Sequence, residues 1–371
     1  MEKSQSFSQF EITLMRRLFK LAATKKGISN PNPVVAAAVV KDEHVIGIGV
    51  HDQYGTPHAE ALAIKAATGN TQGSKIYVTL EPCTHWGKNP PCVDLIRDAG
   101  ITEVVFAITD PNPKVRKSAA QDRLNAAGIS VRHGILQEEA KQLNEVFFKN
   151  QTMNLPFVLG KYAMSLDGKI ALANGESKYL TGEKARKDVH KLRREVDGIL
   201  VGIGTVLKDD PCLNVRFGLL KGGYKNPKKI ILDSQLRISE TAKLFEKTEK
   251  KNIFIITSLS AQNPIIEKKA TVLRFPIEQK SLSFWPFLLK TLYEHGIKSL
   301  MIEGGSTVLT SAIEADIIDK LIVYTAPKLL VGRNAMSPIV GQDFSDLSEA
   351  KIVSDLSVKK LGHDIRITAY F

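Results

Sequence analysis

Apolar residues at Ile12, Met15, Leu18, Phe19 and Ala22 recur three and four positions apart, which predicts a helix over 11–26. The stretch "GISNPNP" (27–33) breaks that period, and "VVAAAVVKDEHVIGIGV" then reads as a strand, a tight turn and a second strand. A helix is expected to start near His58, a buried strand over "KIYVTL" (75–80), a helix after "NPPC" and a strand over 103–108, with Gly100 marking a helix end. At "QTMNLPFVLG" a polar helix tail gives way to a proline and a fresh strand, "FVLGKYAMS". The alternation then restarts, with a helix at 183–195 and strands at "GILVGI", "KIIL", "NIFIIT", "SLMIEG" and "KLIVYTA". Strands alternating with helices predict α/β sheets. The expected cut falls near residue 150, giving domains 1–150 and 151–371.

Composition agrees with two soluble domains: 371 residues, 43% hydrophobic and 24% charged. The start, "MEKSQSFSQF", does not read as a signal peptide, and the apolar run Val34 to Val40 is too short for a bilayer, so no membrane partner and a cytoplasmic location are expected. The net charge of +12 raises nucleic acid as a partner, but the basic residues are spread out with no interleaved aromatics. A small phosphate-bearing substrate suits the charge equally well. Only Cys83, Cys92 and Cys212 are present, which fits metal ligands or catalytic thiols better than a disulfide framework.

His58, Cys83 and Cys92 are one imidazole and two thiols, the donors zinc prefers, and a catalytic zinc keeps its fourth position for water. Glu60 is then left for proton transfer, a carboxylate beside a water whose pKa the metal lowers. "His-Ala-Glu … Pro-Cys … Cys" is the zinc nucleobase-deaminase pattern, with eight residues between the cysteines in place of two. Residues two apart share no face in mid-helix, so His58 and Glu60 converge only at a helix start, which Pro57 favours. Cys92, after Pro90 and Pro91, is expected in a first helical turn. A structural zinc, with His85 as fourth ligand, is the competing interpretation. In the second half, "MIEGGSTVLTSAI" runs a strand through Gly304, Gly305, Ser306 and Thr307 into a helix, an arrangement that lets backbone amides meet a phosphate but is not the GxGxxG fingerprint. Arg186, His190, Arg193 and Arg194 fall at helical spacings and read as a solvated basic face. Cys212 reads as a packing cysteine.

The segments "SNPNPVV", "GTPHAE", "YVTLEPCTHWGKNPPC", "DPNPKV", "SLDGKIA", "GESKYLT", "GTVLKDDPCLNVR", "ILDSQLR", "IEGGSTV" and "YTAPKLLVG" resemble, in order, the bifunctional riboflavin-biosynthesis deaminase–reductase family. The resemblance implies a cytidine-deaminase-like three-layer domain and a dihydrofolate-reductase-like α/β domain. It implies Zn2+ and NADPH as cofactors, deamination of a phosphoribosylaminopyrimidine, and reduction of its ribosyl group to ribityl. His58, Cys83 and Cys92 match the zinc ligands, Glu60 the proton shuttle, and Asn32, His51, His85 and Lys88 the pyrimidine and phosphate site. Ala163, Tyr179, Thr205, Asp209, Ser234, Gly304, Gly305, Ser306 and Thr307 match cofactor contacts. Ser177, Arg193, Leu213, Arg216 and Glu303 match substrate contacts, with Lys161 and Asp209 placed to hold the sugar near the nicotinamide. The family also suggests a homo-oligomer paired through the reductase domain. Ala36 and Ala37 replace a usual glycine and cysteine, Trp86 a common histidine, and "RKSAAQ" a usual glycine pair. The alternatives are a nucleic-acid base deaminase, which the second domain argues against, and a non-catalytic zinc-stabilised homologue.

Overall fold

The computed structural model describes residues 6–87, 89–112, 120–276, 284–341, 343 and 345–371. The chain forms two compact units, Met1–Asn154 and Leu155–Phe371.

Among the described residues, the first unit carries a five-stranded sheet ordered β2-β1-β3-β4-β5, made of β1 (Ala36–Lys41), β2 (His44–Val50), β3 (Lys75–Val78), β4 (Glu103–Phe106) and β5 (Ser130–His133). β3, β4 and β5 run parallel, and β1 runs antiparallel to β2 and β3. The hairpin turn places Asp42 and Glu43 at φ 50° and 60°, the left-handed pair that a two-residue connection requires. Helix α1 (Gln9–Ala23) starts two residues before the predicted start at 11 because Ser8 and Glu11 form a reciprocal capping box. It ends at Thr24, whose hydroxyl donates to the Leu21 carbonyl. Strand alternation sends Ala36, Ala38 and Val40 into a core with α1 and the later helices α5 (Gln137–Leu143) and α6 (Glu145–Met153). It sends Ala37 and Val39 into a second core with α2 (Ala59–Ala66), α3 (Cys92–Asp98) and α4 (Ala120–Ala126). The alanines at 36 and 37 are fully buried, one on each face. The result is three layers, helices on both sides of one sheet.

Helix α2 lies hard against β2. A Cβ at Gly49 would sit 2.1 Å from the Ala59 carbonyl oxygen, and one at Gly47 would sit 2.3 Å from that of Ala63. The two glycines, on the same face of the strand, therefore set how closely this helix approaches.

Among the described residues, the second unit carries a nine-stranded sheet ordered β10-β9-β8-β7-β11-β6-β12-β14-β13. Its strands are β6 (Phe157–Ser165), β7 (Gly198–Gly202), β8 (Lys228–Leu232), β9 (Ile253–Ser258), β10 (Thr271–Phe275), β11 (Ser299–Glu303), β12 (Lys320–Ala326), β13 (Ser354–Leu361) and β14 (Asp364–Tyr370). The run from β10 to β12 is parallel, and the terminal hairpin β13–β14 closes it antiparallel. Helices α7 (Glu183–Glu195), α8 (Ile203–Asp209) and α9 (Pro264–Lys269) pack with Ile199, Val201, Ile231 and Met301 on one face. Helices α10 (Phe284–Glu294) and α11 (Ser306–Glu314) pack with Leu200, Ile230, Leu300 and Ile302 on the other. Central strands buried on both faces read as continuous apolar runs, which is why the sequence shows them plainly.

Two expectations change here. Cys212 is exposed, not packed; the next residue, Leu213, turns into the core at φ 53° and is 3% exposed. The basic face of α7 is not solvated either: His190 is 4% exposed, and the Arg193 side chain lies against the carboxylate of Glu303.

Candidate active sites

Pro57 precedes His58, whose extended backbone (φ −71°, ψ 160°) makes it the N-cap of α2. Glu60 is therefore in the first turn, and residues two apart converge as only a helix start permits. Cys92 is likewise the first residue of α3 behind Pro91, and its N–H points at the Cys83 sulfur, 3.4 Å away. His58 Nδ1 lies 3.3 Å from Cys92 Sγ and 3.5 Å from Cys83 Sγ. Among the described residues, these three ligand atoms form a set lying within 4.8 Å of one another, and His85 is not a member. A tetrahedral zinc with ordinary Zn–N and Zn–S bonds separates its nitrogen and sulfur ligands by about 3.6 Å, so the spacing fits the ion. Three ligands and no fourth protein donor is the catalytic pattern, not the structural one.

The charges are shared within this set. The Cys83 thiol is brought down to about 4, first because Cys92 hydrogen-bonds to it and also because His58 does. Cys92 is raised as the donor in that pair and by its burial. His58 is raised, first by its contact with Cys83. Glu60, 4% exposed, is pushed up to about 7 by burial and then by the charge of Cys83, with His58 pulling the other way.

A cavity of about 310 Å³ opens onto this cluster, with Asn32, His51, Glu60 and His85 among its walls. His51 Nδ1 donates to the Pro57 carbonyl at 3.1 Å and Nε2 accepts from the Asn32 amide at 3.0 Å, which fixes one neutral tautomer. Its burial lowers its pKa accordingly. His85 Nδ1 is buried with no partner among the described residues, a polar atom available to a ligand. Lys88 and the "RKS" of residues 116–118 lie outside the described residues. Trp86 is 77% exposed. Sequence reasoning missed Asp110 and Asn112, which also line the cavity; "DPNPKV" held both, but no local pattern assigns them a role. Asp110 is pushed up to about 6, first by burial. Glu81 was missed as well: its carboxylate accepts from the N–H of Asp110 (3.0 Å) and of Ala120 (2.9 Å).

In the second unit a cavity of about 510 Å³ lies at the carboxyl ends of the parallel strands β6, β7 and β11. Such crevices are where open α/β sheets take ligands. Lys161, Ala163, Ser177, Tyr179, Thr205, Asp209 and Arg216 all line it. So do Arg193, Gly304, Gly305, Ser306 and Thr307. Gly304 and Gly305 have φ +76° and +67°. A Cβ there would meet nothing closer than Thr205 Oγ1 at 3.5 Å, so the backbone conformation, not space, demands glycine. The turn leads into the first residues of α11 beside open volume, a fit for a dinucleotide phosphate.

Three predicted contacts stand elsewhere. Leu213 is in the core. Ser234 follows β8 outside the cavity lining, its carbonyl accepting from Thr257 Oγ1 and Ser258 N. Glu303 is buried behind the wall and held by Arg193 through two bonds of 2.7 Å and by Lys161 at 3.3 Å. These cations hold its carboxyl far below the usual range despite burial. Two lining residues were missed in their roles: Arg186, stacked 4.4 Å over the Tyr179 ring, and His190. Burial first, then Arg193 and Arg216, lowers His190 to about 4, so its ring is neutral.

Comparison with known proteins agrees with both halves. Residues 8–108 match the cytidine and deoxycytidylate deaminase zinc-binding region, and residues 156–367 match the RibD C-terminal domain. The riboflavin biosynthesis protein RibD of Aquifex aeolicus is 39% identical over 95% of this chain and 96% of its own length. That of Escherichia coli is 35% identical over 95% and 96%. The solved Acinetobacter baumannii RibD (form 1) superposes with a TM-score of 0.85 at 34% identity, covering 98% of this chain and 99% of its own. A Thermotoga maritima diaminohydroxyphosphoribosylaminopyrimidine deaminase/5-amino-6-(5-phosphoribosylamino)uracil reductase gives 0.84 at 35% identity, covering 97% and 98%. The chain belongs to the RibD family of riboflavin biosynthesis proteins, which join a zinc-dependent deaminase and an NADPH-dependent reductase in one polypeptide.

Proposed function

We propose that the first unit hydrolytically deaminates 2,5-diamino-6-(5-phosphoribosylamino)pyrimidin-4(3H)-one and that the second reduces the ribosyl group of the product to ribityl phosphate. The substrate class rests on the names of the solved relatives. The observation that carries the reading is the convergence of one imidazole and two sulfurs beside a buried carboxylate. In this reading His58, Cys83 and Cys92 hold the zinc, which when bound supplies a Lewis acid that makes water acidic at neutral pH. Glu60 would take a proton from the attacking water and deliver one to the departing amine. The fixed neutral tautomer of His51, with Asn32, offers the pyrimidine a rigid polar edge, and the unpartnered His85 Nδ1 a further contact.

In the second unit, NADPH when bound supplies the hydride, and the protein's task is placement. The Gly304–Thr307 turn would hold a cofactor phosphate, with Ala163, Tyr179, Thr205 and Asp209 in the same cavity wall to contact the rest of the cofactor. Lys161, fixed by Glu303, and Asp209 face the sugar. Glu303 acts from behind the cavity wall, through Lys161 and Arg193.

Glu60→Gln is expected to keep zinc, lose ammonia release, and still oxidise NADPH when given the deaminated compound. Full deaminase activity in that protein would remove the assigned role.

Among the described residues no helix is long and apolar enough to cross a membrane. The reading places the protein in the cytoplasm, which its free cysteines support. It pairs subunits through the reductase unit, where β13 is an exposed edge strand with Leu356 and Val358 each 61% exposed. A monomer in sedimentation equilibrium would count against that pairing.

A further inference from the structure

Three arginines line the reductase cavity, and their side chains are engaged differently. Arg193 is fully committed: Nε and Nη2 donate to Glu303 at 2.7 Å, and Nη1 donates to the Asn214 carbonyl at 3.1 Å. Arg186 donates from Nη1 to the Thr181 carbonyl at 2.8 Å and lies over the ring of Tyr179. Arg216 is exposed, and its two terminal nitrogens meet no acceptor among the described residues. A forked, uncommitted guanidinium is the group that suits a phosphate monoester.

The backbone that presents Arg216 is fixed by three side chains in succession. Arg193 holds the Asn214 carbonyl, Asn226 Oδ1 accepts from Val215 N–H at 2.8 Å, and His190 Nδ1 accepts from Arg216 N–H at 3.0 Å. His190 Nε2 is also 3.4 Å from Arg216 Nε. A neutral imidazole has one acceptor, and the shorter backbone contact takes it, so Nε2 carries the proton and leaves the guanidinium uncommitted. The groups facing this ring are Arg193 of its own helix, Arg216, Lys161 of β6 and Glu303 of β11, with Phe217 edge-on at 5.2 Å.

We infer that His190 is a positioning residue of the reductase, holding the backbone of Arg216 so that this arginine grips the phosphate of the sugar substrate. The inference rests on the proposed reduction of a phosphorylated ribosyl compound. Of the two arginines expected to contact substrate, Arg193 has its fork already occupied by Glu303, which leaves Arg216.

The test measures NADPH oxidation by the full chain with the deaminated substrate and with the same compound after phosphatase treatment. Asn in place of histidine puts its Oδ1 where the ring has Nδ1, whereas Leu offers no acceptor. His190→Leu is expected to raise KM for the phosphorylated compound about tenfold, a loss of roughly 1.4 kcal/mol, with kcat and the KM for NADPH close to wild type. It should leave KM for the dephosphorylated compound unchanged, and His190→Asn should restore the wild-type value. Deaminase rate and thermal unfolding report on folding. Should the Leu variant not fold, His190→Gln, whose acceptor stands at the Nε2 position, replaces it, with the same rise expected. An unchanged KM, an equal rise with both compounds, or no rescue by Asn overturns the inference. A wild-type chain that reduces neither compound sinks the functional reading instead.

Discussion

Glu303 shows what single residues contribute here. Its carboxylate is buried between Arg193 and Lys161, and those two cations reach it from α7 and β6. Removing one partner of a buried ion pair strands the other charge, which costs about 3–5 kcal/mol. Glu303→Ala is therefore expected to unfold the reductase unit at markedly lower urea while leaving ammonia release intact; separate denaturation curves followed by each activity check this. The same residue explains a limit of sequence reading. Arg193 and Glu303 are 110 positions apart, and nothing local tells an arginine that grips a ligand from one that grips a carboxylate. His58 and Glu60, by contrast, were legible because their chemistry depends on a spacing of two at a helix start. Cys212 and Leu213 both depart from their expected places, the cysteine exposed and the leucine in the core, because a left-handed backbone at 213 turns the leucine inward.

At the scale of elements, the contact of α2 with β2 governs the deaminase site. Gly49 leaves no room for a methyl group against the first turn of α2, the turn that carries Glu60 and follows His58. Gly49→Ala is expected to displace that turn, lowering zinc retention and deamination while NADPH oxidation persists. Zinc content after dialysis, measured beside both activities, distinguishes this from general unfolding. The buried parallel strands and α7 were readable from apolar runs and period. The hairpin β13–β14 was not: Leu356 and Val358 alternate with polar residues, but both face solvent, so the pattern carries no core signal. Of the two helices before the boundary, α6 was legible only by its polar tail, and α5 escaped because the break at Asn144 leaves it seven residues with Ala140 alone buried.

For the whole molecule, acid acts in both directions: Glu60 and Asp110, raised to about 7 and about 6, bind protons more readily when folded and favour the fold as pH falls, while the buried reductase histidine opposes it. His190 is neutral when folded, with its pKa lowered to about 4, and its ring takes a proton near 6.5 once unfolded. Between those values the unfolded chain binds more protons, so stability falls as pH falls through that window. His51 is shifted the same way by burial. Glu303 adds to the loss at lower pH, because its depressed carboxyl contributes stability above its unfolded pKa that is lost on protonation. The reductase unit, followed by loss of NADPH oxidation on heating, is expected to unfold at lower temperature at pH 4 than at pH 6.5, and His190→Asn should flatten part of that slope. A reductase transition insensitive to pH over this range would contradict the buried neutral ring.

Both helices that meet at the sulfurs begin without a side-chain cap: His58 opens α2 and Pro91 opens α3, and neither side chain accepts from the first amides there. A short helix without a side-chain cap frays readily at its start, and the first two amides of α3 rest on Cys83, at its sulfur and its carbonyl. An ion pinning His58 and Cys92 ties down two such starts with one knot, so metal occupancy and local order rise and fall together. Amide hydrogens of residues 60–63 and 93–96 should accordingly exchange faster in the stripped protein, with the sheet of the reductase unit indifferent to the change.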